Sequence, residues 1–236
     1  MIMQVLGAHS PISYGIGFIG SNASVRDHII YQEREPTEEP MIILASVVGL
    51  ACFRDVEHIA CDGNFKFNPK YKVASEDDMP ASEDAQFYQI YSLHSIYQDL
   101  PERSESVLLV VALLPSKSPE VYNKMFRKVK ETLVAEFGDI GQRKRFHFDM
   151  EVAAMNACRQ VFNESRVTTC YFHFAKNIMD KVHRMGLRDY YADMRNPGFY
   201  NWLRTLIGSA LLPRDLFDNR IWPYIEQNVP TRDVRK

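Results

Sequence analysis

The chain has 236 residues, of which 46% are hydrophobic. This length and composition suit one domain with an ordinary core, or one domain with a small appendage. The 28 lysine and arginine residues are nearly balanced by 30 aspartate and glutamate residues, so the formal net charge is −2. The balance excludes nucleic-acid binding by a surface that is positive as a whole, and it leaves only local basic patches for that role.

The cysteines and the apolar runs limit where the protein can act. Its four cysteines are scattered without a Cys-x-x-Cys pair. The sequence does not open with the positively charged segment and apolar stretch of a secretory signal peptide. We therefore expect reduced thiols in a nuclear or cytoplasmic protein that is not secreted. The longest apolar run, 41–53, is shorter than the roughly 20 residues of a membrane span, so no membrane association is expected.

The first half of the chain predicts a lead-in and then strands. Residues 1–40 predict a weakly structured lead-in, because glycines and prolines interrupt their pattern. The run 41–53 predicts one buried element, and 56–61 predicts a short strand. The polar segment 70–84 predicts a loop or hairpin connection. Strands at 86–96 and at 107–114 are predicted next, and the second is apolar enough to be buried on both faces.

A long helix is predicted after these strands. Ser118 suits its N-cap, Pro119 its first turn and Gly138 its end. One face of this helix is apolar, because hydrophobic residues recur four positions apart at Val121, Met125, Val129 and Leu133.

Alternating elements follow, and then a helical tail. Strands are predicted at 144–148 and 167–171, and helices at 152–162 and 172–185, the last of which ends at Gly186. Residues 189–236 predict short, aromatic-rich helices. The predicted organisation is therefore a lead-in at 1–40, an α/β core at 41–188 and an all-helical region at 189–236.

The order of elements favours one fold class. Three successive strands followed by alternating helices and strands are typical of an RNase H-like mixed sheet flanked by helices. In such a sheet the first strand and a later strand become neighbours although they are far apart in sequence. This is an analogy at the level of the fold, and particular residues have to support it.

Two aspartates stand at equivalent places in this pattern. Asp62 follows the strand at 56–61, and Asp149 follows the strand at 144–148. If those strands are neighbours, the two carboxylates can hold Mg²⁺ or Mn²⁺, because these ions prefer hard oxygen ligands. The alternative is that each aspartate caps a turn with its side chain, and spacing alone favours that alternative.

Three sequence blocks resemble the transposases of Mutator-like elements (MULE). The segment DGNFKFNP at 62–69 resembles the DGTF-x-x-x-P segment of that family, with Asn64 in place of the usual threonine. The segment FDMEVAAMNA at 148–157, followed by Val161 and Phe162, resembles its D-F-E-x-A block, and CYFHF at 170–174 resembles its C-x-F-H-F segment. Three blocks in this order, between about residue 40 and the C-terminus, make the resemblance specific.

The resemblance implies an RNase H-like DDE transposase that cuts and joins DNA at transposon ends. It implies that Asp62 and Asp149 are the first two catalytic acids and bind Mg²⁺ or Mn²⁺. The third acid of the family is a glutamate beyond a helical insertion, and we expect the sequence to stop short of it. Catalysis is therefore expected to be weak or absent. The alternative is a non-catalytic DNA-binding or protein-interaction domain of the same origin.

Other candidate residues have simpler alternatives. Glu151 could replace the third acid, but its position at a predicted helix start favours an interaction with the helix dipole. Cys170 and His173 form a Cys-x-x-His pair, and because no further ligands follow, a packing or hydrogen-bonding role is favoured over zinc. Four basic residues could contact DNA phosphates or could be an ordinary solvated surface: Arg143, Lys144, Arg145 and Lys176.

Overall fold

A computed structural model of the protein describes residues 28–33, 38–66, 68–72, 84–96, 106–141, 143–195 and 197–230. Over these ranges the chain has a mixed α/β fold, with a seven-stranded sheet and a separate two-stranded sheet. The chain divides into two compact units, 1–168 and 169–236.

The strands of the described residues are, in chain order, β1 (Ile29–Gln32), β2 (Ile42–Leu44), β3 (His58–Asn64), β4 (Lys70–Lys72), β5 (Asp84–Gln86), β6 (Gln89–Ile96), β7 (Leu108–Leu114), β8 (Arg145–Phe148) and β9 (Arg166–Thr169). The helices that the structure describes in the first unit are α1 (Val47–Asp55), α2 (Pro119–Phe137) and α3 (Val152–Val161). Those that it describes in the second unit are α4 (Tyr171–Arg184), α5 (Arg188–Ala192), α6 (Gly198–Ser209), α7 (Arg214–Leu216), a π-helical turn (Phe217–Ile221) and α8 (Trp222–Gln227).

The large sheet brings together strands that are remote in sequence. Its order is β1-β2-β7-β6-β3-β8-β9, and the small sheet pairs β4 with β5. Strand β3 is antiparallel to β6 on one side and parallel to β8 on the other. The parallel register places Ile59 opposite Phe146 and Cys61 opposite Phe148. This pairing of β3 and β8 positions the two candidate aspartates.

One face of the central strands carries the main core. Side chains alternate between the two faces of a strand, so every second residue of β3, β6 and β8 enters this core. The buried apolar residues on these strands are Ile59, Cys61, Tyr91, Leu93, Phe146 and Phe148. Helices α1, α2 and α3 and strands β2 and β7 contribute further apolar side chains to the same cluster. The opposite face carries two histidines. Ala60 of β3 lies between them, since it pairs with His94 of β6 on one side and with His147 of β8 on the other.

Helix α2 is confirmed with the start and end that the sequence predicts. The Ser118 hydroxyl accepts a hydrogen bond from the N–H of Val121, and Pro119 is the first helical residue. Gly138 ends the helix in the left-handed region at φ 81°, where a residue without a Cβ is favoured. The four predicted apolar residues of this helix are buried. Local capping signals therefore determine this element.

The run 41–53 is predicted as one buried element, but the structure divides it into a strand and a helix. It contains β2 and then the start of α1, because the Ser46 hydroxyl caps a helix by accepting a hydrogen bond from the N–H of Gly49 at 2.9 Å. Strand β1 also forms within 1–40, where a weakly structured lead-in is predicted, and it pairs with β2. The rest of that lead-in, 1–27 and 34–37, lies outside the described residues.

The second unit begins earlier than the predicted helical region. Helix α4 lies in this unit because Val182 packs in one cluster with Phe199, Leu203 and Ile207 of α6. The compact units therefore meet at 168/169, whereas the sequence predicts a boundary at 188/189. In the part of the chain that the structure describes, no helix combines the length and the apolar character needed to cross a membrane.

Candidate functional site

Asp62 and Asp149 each come one residue after the last registered pair of the parallel strands β3 and β8. Cys61 pairs with Phe148, and each aspartate is the next residue of its strand or of the loop that follows. Asp62 is exposed and Asp149 is half-buried. The Oδ1 atom of Asp149 accepts a hydrogen bond from the N–H of Glu151 at 3.2 Å, which orients this carboxylate at the start of α3.

The pKa of a neighbouring thiol reflects the charge of both aspartates. Burial raises the pKa of Cys61 well above its usual value, and the charges of Cys158, Asp149 and Asp62 raise it further. Both carboxylates therefore act on one buried group of β3. The Cys61 side chain therefore lies within the electrostatic range of both aspartates.

Two polar residues of β6 flank Asp62. Ser92 pairs with Asp62 across the antiparallel register, and its hydroxyl donates to the Asp62 carbonyl at 3.4 Å. His94 lies two residues further along β6. Burial lowers the pKa of His94, and the negative charge of Asp62 opposes that change. Alternation in β6 places these polar side chains on the face opposite Tyr91 and Leu93.

A buried polar cluster lies close to Asp149. The Nε2 of Gln89 donates to the hydroxyl of Tyr122 at 2.8 Å and so links β6 to the first turn of α2. Burial raises the pKa of Tyr122, and the charges of Glu151 and Asp149 raise it as well. The Gln89 Oε1 and the Tyr91 hydroxyl are buried, and neither has a hydrogen-bond partner within the described ranges.

The donor set for a divalent metal is incomplete in the described residues. Asp62 and Asp149 offer carboxylate oxygens, which are the ligand type that Mg²⁺ and Mn²⁺ prefer. Glu151 is the N-cap residue of α3, as predicted for a residue at a helix start, and its side chain makes no capping hydrogen bond. Among the residues that the structure describes, no group of three His, Cys, Asp or Glu residues could hold a metal ion. Asp62 and Asp149 are therefore the two described residues that could contribute carboxylate oxygens to such a site.

Sequence reasoning missed a pair of histidines on the polar face. The Nδ1 of His58 lies 2.9 Å from the Nε2 of His147, and the two rings are nearly parallel at 12°. The other nitrogen of His147 lies 3.0 Å from the hydroxyl of Thr168. Burial lowers the pKa of His147, and the charges of His58 and Arg145 lower it further. In the sequence, each histidine alternates with apolar residues of its strand, which indicates that it lies on the face opposite the core. The contact between the two histidines depends on the register of β3 and β8, which the sequence does not specify.

The four predicted DNA contacts lie in different environments. Lys144 is fully buried, and its Nζ donates to the carbonyls of Arg54 and Val56, so we correct its prediction as a phosphate contact. Arg145 is partly exposed and pairs with Glu57 at 2.6 Å. Two other residues are also on the surface: Arg143 donates to the carbonyl of Glu164, and Lys176 pairs with Asp180.

Cys170 and His173 stand at the start of α4 in the second unit. Cys170 is the N-cap residue, but its side chain makes no capping hydrogen bond. The Nδ1 of His173 is buried and has no hydrogen-bond partner among the described residues. Within the described ranges, no further ligands join Cys170 and His173 in a metal site, and no hydrogen bond links their side chains.

The chain is similar to a known family across its centre. The family model described as MULE transposase domain matches residues 91–177. The match runs from β6 into α4 and includes Asp149, Cys170 and His173, whereas Asp62 lies before it. A search of curated proteins finds no match. The resemblance to Mutator-like element transposases is thereby confirmed for the central part of the chain.

Proposed function

We propose that this protein is a transposase domain of the Mutator-like type with an RNase H-like fold, and that it acts on DNA at Asp62 and Asp149. The observation that supports this proposal is the parallel pairing of β3 and β8, whose last registered pair, Cys61 with Phe148, directly precedes the two aspartates. The strand order adds support. Strands β3, β6 and β7 form an antiparallel series, and β8 then pairs with the first of them, as expected for that fold.

The proposed chemistry is phosphoryl transfer on DNA strands. Divalent ions held at this site would supply activation of water or a 3′-hydroxyl and stabilisation of the leaving oxygen. The chain contributes the carboxylates of Asp62 and Asp149 as ligands. The N–H of Glu151 orients Asp149, and Ser92 holds the backbone of β3 at Asp62.

Two carboxylates hold a divalent ion less firmly than three. The described residues contain no three-residue group for a metal, so we propose weak binding and weak or absent strand cleavage by this chain alone. A third acid from outside these residues would then complete the site. DNA at transposon ends is the proposed substrate, by resemblance to the family.

Calorimetry with Mn²⁺ tests the proposed site. The wild type should bind the ion, and Asp62→Asn and Asp149→Asn should each abolish binding, because each removes one charged ligand without changing side-chain size. Asp215→Asn is a matched control, since Asp215 is an exposed acid of the second unit. No binding by the wild type, or equal loss in the control, would reject the metal site.

A strand-transfer assay with Mn²⁺ tests the proposed level of activity. We expect little or no product from the wild-type chain. Robust cleavage that Asp62→Asn removes would contradict weak activity, while it would support the transposase proposal as a whole.

A non-catalytic DNA-binding domain is the second candidate. The absence of a three-ligand group among the described residues favours it. It predicts that duplex DNA binds equally well in a chelating buffer, with an affinity that falls as salt rises because phosphate contacts release counterions. Arg143, Arg145 and Lys176 are the basic residues that remain as proposed contacts. Binding that requires a divalent ion would argue for the first candidate.

A further inference from the structure

A pocket lies next to Asp62 along the chain, at the point where β3 ends. It has a volume of about 330 Å³ and is lined by Phe65, Asn68, Gln86, Phe87 and Tyr88. Pockets that hold small ligands begin at about 300 Å³, so this pocket can hold a single flat ring system. Phe65 is three residues beyond Asp62, and Tyr88 directly precedes β6.

Two aromatic side chains form an open surface at this pocket. Phe65 is 45% exposed and Tyr88 is 43% exposed. Their ring centroids lie 5.7 Å apart at an interplanar angle of 76°, an edge-to-face arrangement. Each ring therefore keeps part of its surface free for a ligand. Phe87, by contrast, is buried and packs with Ile42 and Leu113.

Hydrogen bonds hold the two aromatic residues in place. The Nδ2 of Asn68 donates to the carbonyls of both Phe65, at 3.2 Å, and Tyr88. The Nε2 of Gln86 donates to the carbonyl of Asn68 at 2.9 Å. The side-chain amide of Asn68 thus joins the segment of Phe65 to the segment of Tyr88. The aromatic surface is therefore organised before any ligand binds, and this reduces the entropic cost of binding.

A polar atom at the same pocket lacks a partner. The Oδ1 of Asn68 is buried and accepts no hydrogen bond from the described residues. A buried acceptor without a donor is unfavourable, and a ligand with an N–H group would satisfy it. The pocket therefore fits a flat aromatic molecule with N–H donors on its edge. Nucleobases have this chemistry, and they stack on aromatic side chains with little dependence on sequence.

We propose that this pocket holds an unstacked nucleobase of the DNA strand that is engaged at Asp62. Phe65 and Tyr88 supply the stacking surfaces, and the Oδ1 of Asn68 accepts a hydrogen bond from the edge of the base. The inference rests on the proposed function, because DNA is the substrate of that function. It adds a subsite that fixes one nucleotide beside the acids, as enzymes do when they take a base out of the stack.

Binding of single-stranded DNA tests the pocket. Fluorescence anisotropy would compare a labelled poly-thymidine oligomer with an abasic oligomer of equal length. Phe65→Ala and Tyr88→Ala should each weaken binding of poly-thymidine by about tenfold and leave binding of the abasic oligomer unchanged, because stacking is lost. The slope of affinity against salt should not change, since phosphate contacts remain.

Two kinds of control make the result specific. Phe65→Tyr and Tyr88→Phe keep an aromatic ring and should bind poly-thymidine as the wild type does. This result would show that the alanine variants lose binding through the missing ring. Phe172→Ala removes an aromatic side chain that is 67% exposed in the second unit and should have no effect. The proposed base-binding role of the pocket would be overturned if the alanine variants bind poly-thymidine as well as the wild type does. It would also be overturned if their affinity for the abasic oligomer falls as much as their affinity for poly-thymidine.

The two proposals fail in different ways. If the wild type binds DNA and Mn²⁺ but the alanine variants show no change, the pocket is overturned and the proposed function stands. If the wild type binds neither oligomer, the pocket and the proposed DNA substrate are both overturned.

Discussion

The two faces of β3, β6 and β8 come from the same strands but differ in character. On one face, Ile59, Leu93 and Phe146 are fully buried in the main core. On the other face, at alternate positions, His58, His94 and His147 are only half-buried. The core face supplies the buried apolar contacts of these strands, and the other face carries titratable side chains. Substitutions on the two faces should therefore change different measurements.

Phe146→Ala should have the largest effect of all, because it opens a cavity in the core face. The ring of Phe146 contacts those of Phe53 and Phe162 and is fully buried. We expect the free energy of unfolding to fall by about 3–5 kcal/mol. Urea denaturation measures this value. Thr168→Val on the exposed side is the control, and an equal loss there would contradict the difference between the faces.

Lys144→Met should have an intermediate effect. Its loss leaves the carbonyls of Arg54 and Val56 without their donor, which should cost about 1–3 kcal/mol of unfolding free energy. Burial lowers the pKa of Lys144 to about 8. The unfolded chain therefore holds this proton more tightly, and the stability of the wild type should rise between about pH 8 and pH 10. Urea titrations should show no such rise in the variant.

His147→Gln should change the response to acid. Because burial lowers the pKa of His147, the unfolded chain takes up a proton before the folded chain does. The free energy of unfolding of the wild type should then fall as the pH decreases below about 6.5. The variant should lose part of this dependence in denaturation curves at several pH values. An unchanged dependence would mean that His147 is not held neutral by the fold.

Asp62→Asn should have the smallest effect on stability, within about 0.5 kcal/mol, because the side chain is exposed. It should nevertheless lower the pKa of His94, since the charge of Asp62 now raises it. Proton NMR of the histidine ring measures that pKa. Asp139→Asn, an exposed acid in the loop after α2, should leave it unchanged. A His94 pKa that is the same in both variants would contradict the proximity of Asp62.

The sequence predicted those features that depend on local signals. Helix α2 follows from Ser118, Pro119 and Gly138, which act within a few residues of one another. The cap at Ser46 was missed because it lies inside an apolar run with no other break. Lys144 was misread because its neighbours Arg143 and Arg145 suggest one continuous basic surface, although its own side chain turns to the end of α1.

Features that depend on register could not be predicted in the same way. The contact between His58 and His147 requires the alignment of Ala60 with His147, which no local pattern specifies. The same is true of the pocket, where Asn68 joins Phe65 to Tyr88 across two segments of the chain. The pairing of the strands that carry Asp62 and Asp149 followed from the order of elements by analogy with a fold, and the resemblance of their motifs to a family supported it. Spacing alone favoured separate turn-capping roles for these residues.

The pairing of β3 with β8 also has a consequence for the order of assembly. More than eighty residues separate Asp62 from Asp149, so the chain must close a long loop before these strands meet. Contacts of this kind form slowly, whereas a helix such as α2 can form from its own residues. A refolding chain should therefore regain helical signal first, and the proposed metal binding at Asp62 and Asp149 should return last. An incompletely folded copy would then lack the site at which we propose that the protein acts on DNA.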